Sequence, residues 1–158
     1  LGVDFLFKYK GFSAVGEFVS TAATVPDDIT QRVRNDGSTS RNFEVDGVQD
    51  VENYVKGRMM LGAGYNIQMG YLFKNRWSVD ARYTYLDADQ HSFLNNGTFY
   101  NRPTYYTFGI SKYFSKMYGC KIQASVDYVE AAEGSNDLSG EPMNGNEWMF
   151  RVITSFAL

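Results

Sequence analysis

The chain has 158 residues, 44% hydrophobic and 16% aromatic, with 12 Tyr, 12 Phe and 15 Gly and a formal net charge of −3. No window approaches the roughly eighteen consecutive apolar residues of a membrane-spanning helix, which excludes a helical membrane protein, and an acidic balance with no clustered basic face argues against a nucleic-acid partner. Tyrosine and glycine enrichment without aliphatic enrichment instead suits a wall one strand thick, bordered by aromatic girdles.

Successive side chains of a strand point to opposite faces, so alternation of apolar and polar residues predicts a two-faced strand. Leu1 to Tyr9 places Val3, Phe5, Phe7 and Tyr9 on one face, and Lys10-Gly11 turns the chain. Phe12 to Ser20 follows with Phe12, Ala14, Gly16 and Phe18 on the apolar face, although Val15 and Val19 sit on the face expected to be polar. Thr21 to about Asn53 has no period and carries Pro26-Asp27-Asp28 and Asn35-Asp36-Gly37-Ser38, which predicts a long polar loop. Tyr54 to Tyr71 reads as one long run, with Val55, Gly57, Met59 and Leu61 continuing the apolar face and Lys56 and Arg58 on the other.

The cleanest pattern follows. Ala63, Tyr65, Ile67, Met69 and Tyr71 alternate with Gly64, Asn66, Gln68 and Gly70; after Phe73-Lys74-Asn75-Arg76, Trp77, Val79, Ala81, Tyr83 and Tyr85 alternate with Ser78, Asp80, Arg82 and Thr84. Each run approaches the roughly 9–11 tilted residues that cross a bilayer as a strand. A second polar loop runs from Asp87 to about Thr104, and then Tyr106, Phe108 and Ile110 alternate with Thr107, Gly109 and Ser111. Phe114 to Gly119 is a short turn, Cys120 to Tyr128 a strand with Ile122, Ala124, Val126 and Tyr128 on one face, and Val129 to about Asn146 a third polar loop. Glu147 to Leu158 closes the series with Trp148, Phe150, Val152, Phe156 and Leu158 on one face and Arg151 and Ser155 on the other.

The pattern predicts an all-β chain: an antiparallel transmembrane β-barrel, about seven strands of a larger barrel, with residues 1–158 forming no second domain. Connections alternate short and long, which is the asymmetry of outer-membrane barrels, whose short turns face the periplasm and whose long loops face outward. The expected location is the bacterial outer membrane, with outer-membrane lipid as a partner. Barrels of this kind have an even strand number, so the parity predicts at least one further strand ahead of Leu1 and a C-terminal part of a longer protein. Tyr71, Phe73, Trp77, Tyr113, Phe114 and Tyr118 bunch near the short turns and are expected to form an interfacial girdle, with Lys112 snorkelling beside them.

The segments Gly70-Tyr71-Leu72-Phe73, Trp77 to Asp87 and Tyr106 to Phe114 resemble the C-terminal half of the phosphate-selective porin O and P family, and the tail Arg151 to Leu158 is similar to its members from Bacteroidota. The resemblance implies half of a sixteen-stranded, usually trimeric diffusion channel, and hence a porin for small hydrophilic solutes or anions such as phosphate and a homotrimer. No basic cluster of that family's constriction can be matched residue by residue. The residues themselves propose a lumen face with Lys8, Lys56, Arg58, Arg82, Lys121 and Arg151 against Asp4, Glu17, Asp80 and Asp127, basic groups in modest excess. A ring of Arg or Lys can favour anions, but mixed charges on a wall more often pair with each other.

Rival chemistry is thin. His91 is the sole histidine and Cys120 the sole cysteine, so neither a disulfide within these residues nor Cys/His zinc spacing is available. Asp27-Asp28 and Asp87-Asp89 lack the spacing of a dedicated Ca²⁺ loop, and Ser92 stands beside His91 without a group to orient the pair. No cofactor, metal or enzymatic activity is expected. The alternative to a channel is a structural or surface-display barrel that binds a partner through its outer loops.

Overall fold

The computed structural model describes residues 1–95, 102–115, 119–136, 139, 141–142 and 145–156. In chain order its elements are β1 (Gly2–Tyr9), β2 (Phe12–Thr21), β3 (Arg32–Val33), β4 (Thr39–Ser40), β5 (Glu44–Val45), β6 (Val48–Gln49), α1 (Val51–Lys56), β7 (Gly62–Leu72), β8 (Trp77–Ala88), β9 (Thr104–Tyr113), β10 (Cys120–Glu130) and β11 (Glu147–Phe156). The seven long strands form one antiparallel sheet in the order β1-β2-β7-β8-β9-β10-β11, while β3 pairs with β4 and β5 with β6 as separate two-stranded ladders.

Register carries the sequence alternation across the whole sheet. Phe12 lies opposite Tyr71, Tyr71 opposite Val79, Val79 opposite Ile110, Ile110 opposite Ala124 and Ala124 opposite Val152. One face is therefore apolar from strand to strand, and a slip of one residue in any pair would reverse it. The three short connections lie at one end of the sheet and the three long ones at the other. The first of them is a two-residue turn with both central residues at positive φ, Lys10 at 45° and Gly11 at 91°, whose twist matches that of the flanking strands.

The long expected run from Tyr54 to Tyr71 is corrected. Its first part is helix α1, and the sheet strand begins only at Gly62. Val51, Tyr54 and Val55 recur at helical spacing, and the Asp50 side chain caps the helix by accepting from the Asn53 N–H at 2.9 Å. Glu52 and Lys56 pair one turn apart at 2.6 Å, and Gly57 closes the C-terminus. The strand-like alternation of Val55, Gly57, Met59 and Leu61 coincides with this helix and its exit. Lys56 and Arg58 accordingly leave the expected lumen face. Lys56 binds Glu52, which holds its amine above the usual lysine range, and the Arg58 guanidinium lies 3.5 Å over the Tyr54 ring.

Conventional core is scarce. Among the described residues the buried hydrophobic ones are Phe43, Tyr54, Leu61 and Val129, three of them in or beside the first long loop. Among the described residues no second layer packs on the sheet's apolar face. The turn at Gly11 offers a local test, because an added Cβ there would stand 2.6 Å from the Leu72 carbonyl oxygen, at positive φ. Gly11→Ala is expected to lower unfolding stability in detergent micelles by about 1–3 kcal/mol, measured by denaturant titration. Gly2→Ala, where nothing lies within 4 Å, should leave the midpoint unchanged.

Candidate functional site

The polar face of the sheet brings together Lys8, Asp80, Arg82, Lys121, Asp127 and Arg151 of the expected lumen residues, with Asp4 and Glu17. With Lys56 and Arg58 gone, the four basic groups Lys8, Arg82, Lys121 and Arg151 share the face with Asp4, Glu17, Asp80 and Asp127 and, at the long-loop rim, with Glu147, which pairs with Arg102. The expected basic excess disappears. The face is also not polar throughout, since Leu6 stands opposite Val15, Val19 lies beyond them on β2, and Met149 and Ile153 share it on β11.

Register aligns a charged row across the central strands. Arg82 of β8 stands opposite Thr107 of β9, and Thr107 opposite Asp127 of β10. An Arg82 guanidinium N–H donates to Thr107 Oγ1 at 3.3 Å, and the Thr107 hydroxyl donates to Asp127 Oδ1 at 2.5 Å. Arg151 of β11 donates to the other oxygen, Asp127 Oδ2, at 3.3 Å. Asp127 is only 4% exposed, so its two oxygens need these donors. Arg82 and Arg151 stay exposed at either side of the row.

Asp80 stands apart from this row. Its register neighbours are glycines on both sides, Gly70 and Gly109, and it accepts from Ser78 Oγ on its own strand at 3.2 Å. Lys121 Nζ donates to Gln123 Oε1 at 3.1 Å. Arg82, Lys121, Asp80, Asp127 and Arg151 all border one open space of about 280 Å³. What the face offers is an open polar surface on which acidic and basic groups are interspersed.

The opposite face carries no charged residue between its rims. Lys112 stands at the short-turn end, where its amine donates to the Asn75 carbonyl at 3.0 Å and lies 5.0 Å over the Trp77 ring. Asp87 and Glu130 stand at the long-loop end. Between them Phe5, Phe7, Ile67, Met69, Phe108, Ile110, Phe150 and Val152 are all exposed. Of the expected girdle, Trp77 and Tyr71 lie on this face, and Phe73 meets Tyr71 edge-on at 4.8 Å. Phe114, 52% exposed, lies just past β9, and Tyr118 lies outside the described residues.

Tyr113 is a correction. It shares the polar face with Thr107, Gly109 and Ser111 and pairs with Lys121, because the parity of β9 continues unbroken to its end. A second aromatic row, which the sequence reading did not single out, crosses the apolar face nearer the long loops. Tyr85, Tyr65, Tyr83, Tyr106, Tyr128 and Trp148 follow one another with centroid separations of 5.4, 5.7, 5.0, 6.1 and 4.8 Å. Each tyrosine stood in the alternation, but only the register sets them side by side.

At the long-loop end, Arg102 grips Glu147 through two bonds, Nε to Oε2 at 2.8 Å and an NH2 contact to Oε1 at 2.5 Å. Ser92, the residue beside His91, has its hydroxyl committed to backbone. It donates to the Met59 carbonyl at 2.8 Å and accepts from the Leu61 N–H at 2.9 Å, so it ties the first loop to the second.

Thr107 and Asp127 form the part of the site with a measurable energetic signature. Asp127→Ala removes the acceptor shared by Thr107 and Arg151, and an expected loss of about 1–3 kcal/mol in unfolding free energy follows from two abandoned donors. Asp80→Ala should cost less than about 1 kcal/mol, and Thr107→Val combined with Asp127→Ala should fall short of the sum of the two single losses. No protein-family model matches the chain, and neither a curated protein nor a solved structure matches it.

Proposed function

We propose that the seven-stranded sheet is part of the wall of a transmembrane β-barrel in a bacterial outer membrane, and that the barrel passes small hydrophilic solutes by passive diffusion. The observation that carries this reading is the apolar face, continuous over seven strands, exposed, and free of charge between its rims. Soluble monomers rarely expose apolar patches beyond a few hundred Å², whereas a charge facing mid-bilayer lipid costs about 2–4 kcal/mol. A surface that excludes charge while keeping no protein cover is suited to acyl chains.

Dimensions support the same solvent. From Trp77 to Tyr85 the strand covers about 27 Å at ~3.4 Å per residue, or about 20 Å along the normal at a tilt of roughly 40°, near the ~25 Å apolar band of such barrels. Aromatic residues border the band on both sides, where amphipathic rings favour the headgroup level. The face bearing Asp80, Arg82, Asp127 and Arg151 in mid-strand then lines water. Because β1 and β11 run in the same direction in an antiparallel sheet of seven, antiparallel closure takes an odd number of further strands.

On this reading the likeness to the phosphate-selective porin O and P family extends to architecture, including a homotrimer. The absence of a basic excess, with four basic groups against Asp4, Glu17, Asp80, Asp127 and the Arg102-paired Glu147, favours hydrophilic solutes of either sign over a strong anion preference. Lipid on one face and small solutes on the other are the partners.

The chain contains two tryptophans, Trp77 and Trp148, both on the apolar face, so intrinsic fluorescence reports on that face directly. In vesicles with brominated acyl chains the emission should be strongly quenched. Retention in the aqueous fraction with no quenching would falsify the membrane wall. Reconstitution of the full-length protein into planar bilayers should give ohmic current, and Arg82→Glu with Arg151→Glu should shift the reversal potential toward cation preference. Quenching without conductance at any voltage would remove the channel and leave a structural or display barrel.

A further inference from the structure

The first long loop is acidic in sequence. Between 22 and 61 it holds Asp27, Asp28, Asp36, Glu44, Asp46, Asp50 and Glu52 against Arg32, Arg34, Arg41, Lys56 and Arg58. Folding separates these charges. Phe43, 3% exposed, and Tyr54, 8% exposed, meet edge-to-face at 5.3 Å and anchor the loop onto α1. Around that anchor the Arg58 guanidinium carbon lies 3.5 Å and the Arg32 carbon 4.8 Å from the Tyr54 centroid, and Arg34 borders the same cleft.

These three guanidiniums spend few of their donors. Arg32 Nε donates to the Asn42 carbonyl at 3.0 Å, Arg34 to Ser40 Oγ at 3.3 Å and Arg58 to the Tyr54 carbonyl at 2.7 Å. None of the three forms an ion pair among the described residues. An Arg carries five N–H donors in a planar fork matched to carboxylate and phosphate oxygens. Asp36 also borders the cleft, but its carboxylate faces inward on its own turn, accepting from Ser38 Oγ at 2.7 Å and Ser38 N–H at 2.9 Å. The Ser38 contacts hold Asp36 below the usual carboxylate range and therefore ionised. Three positive groups stand against one negative one.

The space they border is about 810 Å³, within the roughly 300–1,000 Å³ typical of sites for organic ligands and far larger than one inorganic oxyanion. Ile29, Val33 and Met59 add apolar lining, and Val33 is 72% exposed.

We propose that the cleft formed by Arg32, Arg34 and Arg58 binds a soluble organic polyanion, a small molecule bearing at least two carboxylate, phosphate or sulfate groups on a carbon frame. A carbon frame with two or more such groups fills a space of about 810 Å³ better than a single inorganic oxyanion does. The frame lies against Ile29, Val33 and Met59. The site is built by loop residues and does not use the sheet faces, so it goes beyond the diffusion function and stands or falls separately from it.

Isothermal titration of the full chain in micelles tests this with myo-inositol hexakisphosphate, with uncharged myo-inositol and inorganic phosphate as comparison probes. The hexakisphosphate should bind one to one and at least about a hundredfold tighter than phosphate, with no binding of myo-inositol. Loss of a charge-assisted contact should weaken it about tenfold for Arg34→Gln and for Arg58→Gln. Arg41→Gln removes the same charge from the same loop outside the cleft and should leave affinity unchanged. Arg34 makes no contact with the Tyr54 ring, so Arg34→Gln remains decisive if Arg58→Gln unfolds the loop by near-ultraviolet circular dichroism. No hexakisphosphate binding, equal affinity for phosphate, or equal weakening by Arg41→Gln and Arg34→Gln would each overturn the proposal.

Discussion

The structure depends on a sheet with one apolar face that no other layer of the described residues covers. In a soluble β-protein the apolar faces of two sheets, or of a sheet and helices, bury each other. Here seven strands repeat the same division into faces, and Phe5, Met69, Phe108 and Phe150 remain exposed. Burial of apolar area contributes about 25 cal/mol per Å², so an uncovered face of this extent is a large unfavourable surface in water. On the proposed reading, lipid acyl chains are the medium that covers it. From that constraint follow the confinement of Lys112, Asp87 and Glu130 to the rims and the placement of tyrosines and tryptophans between band and rim.

The polar face answers to a different requirement. Its charged groups stand in mid-strand, where they either stay hydrated or find partners. Asp127 is buried and held by Thr107 and Arg151, while Arg82 and Arg151 remain exposed beside it. The row links four adjacent strands through side chains in addition to the backbone ladder, and such a row fixes where charge sits on the polar face. On the proposed reading, acidic and basic groups in near-equal number on that face would discriminate little between solutes by sign. The Asp80 carboxylate packs over Gly70, where a side chain's Cβ would collide with its Oδ1.

The loops are not passive connections. The first folds a small unit of its own, with α1, two ladders and the Phe43–Tyr54 contact, and Ser92 fastens it to the second loop. Arg102 and Glu147 hold the end of the second loop to the start of β11. These links join segments beyond the ends of the strand pairing. They also determine which loop charges face each other.

Strand alternation, read from the sequence, determined the seven strands, their two faces and the sorting of short and long connections, because a period of two residues is written locally. The same parity placed Asp80, Arg82, Asp127 and Arg151 on one face. It misplaced Lys56 and Arg58, because the alternation through Val55 to Leu61 runs over a capped helix whose spacing of Val51, Tyr54 and Val55 competes with it. Tyr113 keeps the parity of Thr107, Gly109 and Ser111 and so faces the polar side, although it lies beside a short turn. Only the tertiary structure decided which residues of different strands lie at one level, since register is a relation between segments tens of residues apart. That relation aligns Thr107 with Asp127 and makes a row of Tyr65, Tyr83, Tyr106 and Tyr128. The arginine cleft is further from the sequence still, because an aperiodic loop has no local signal for which of its charges will be brought together.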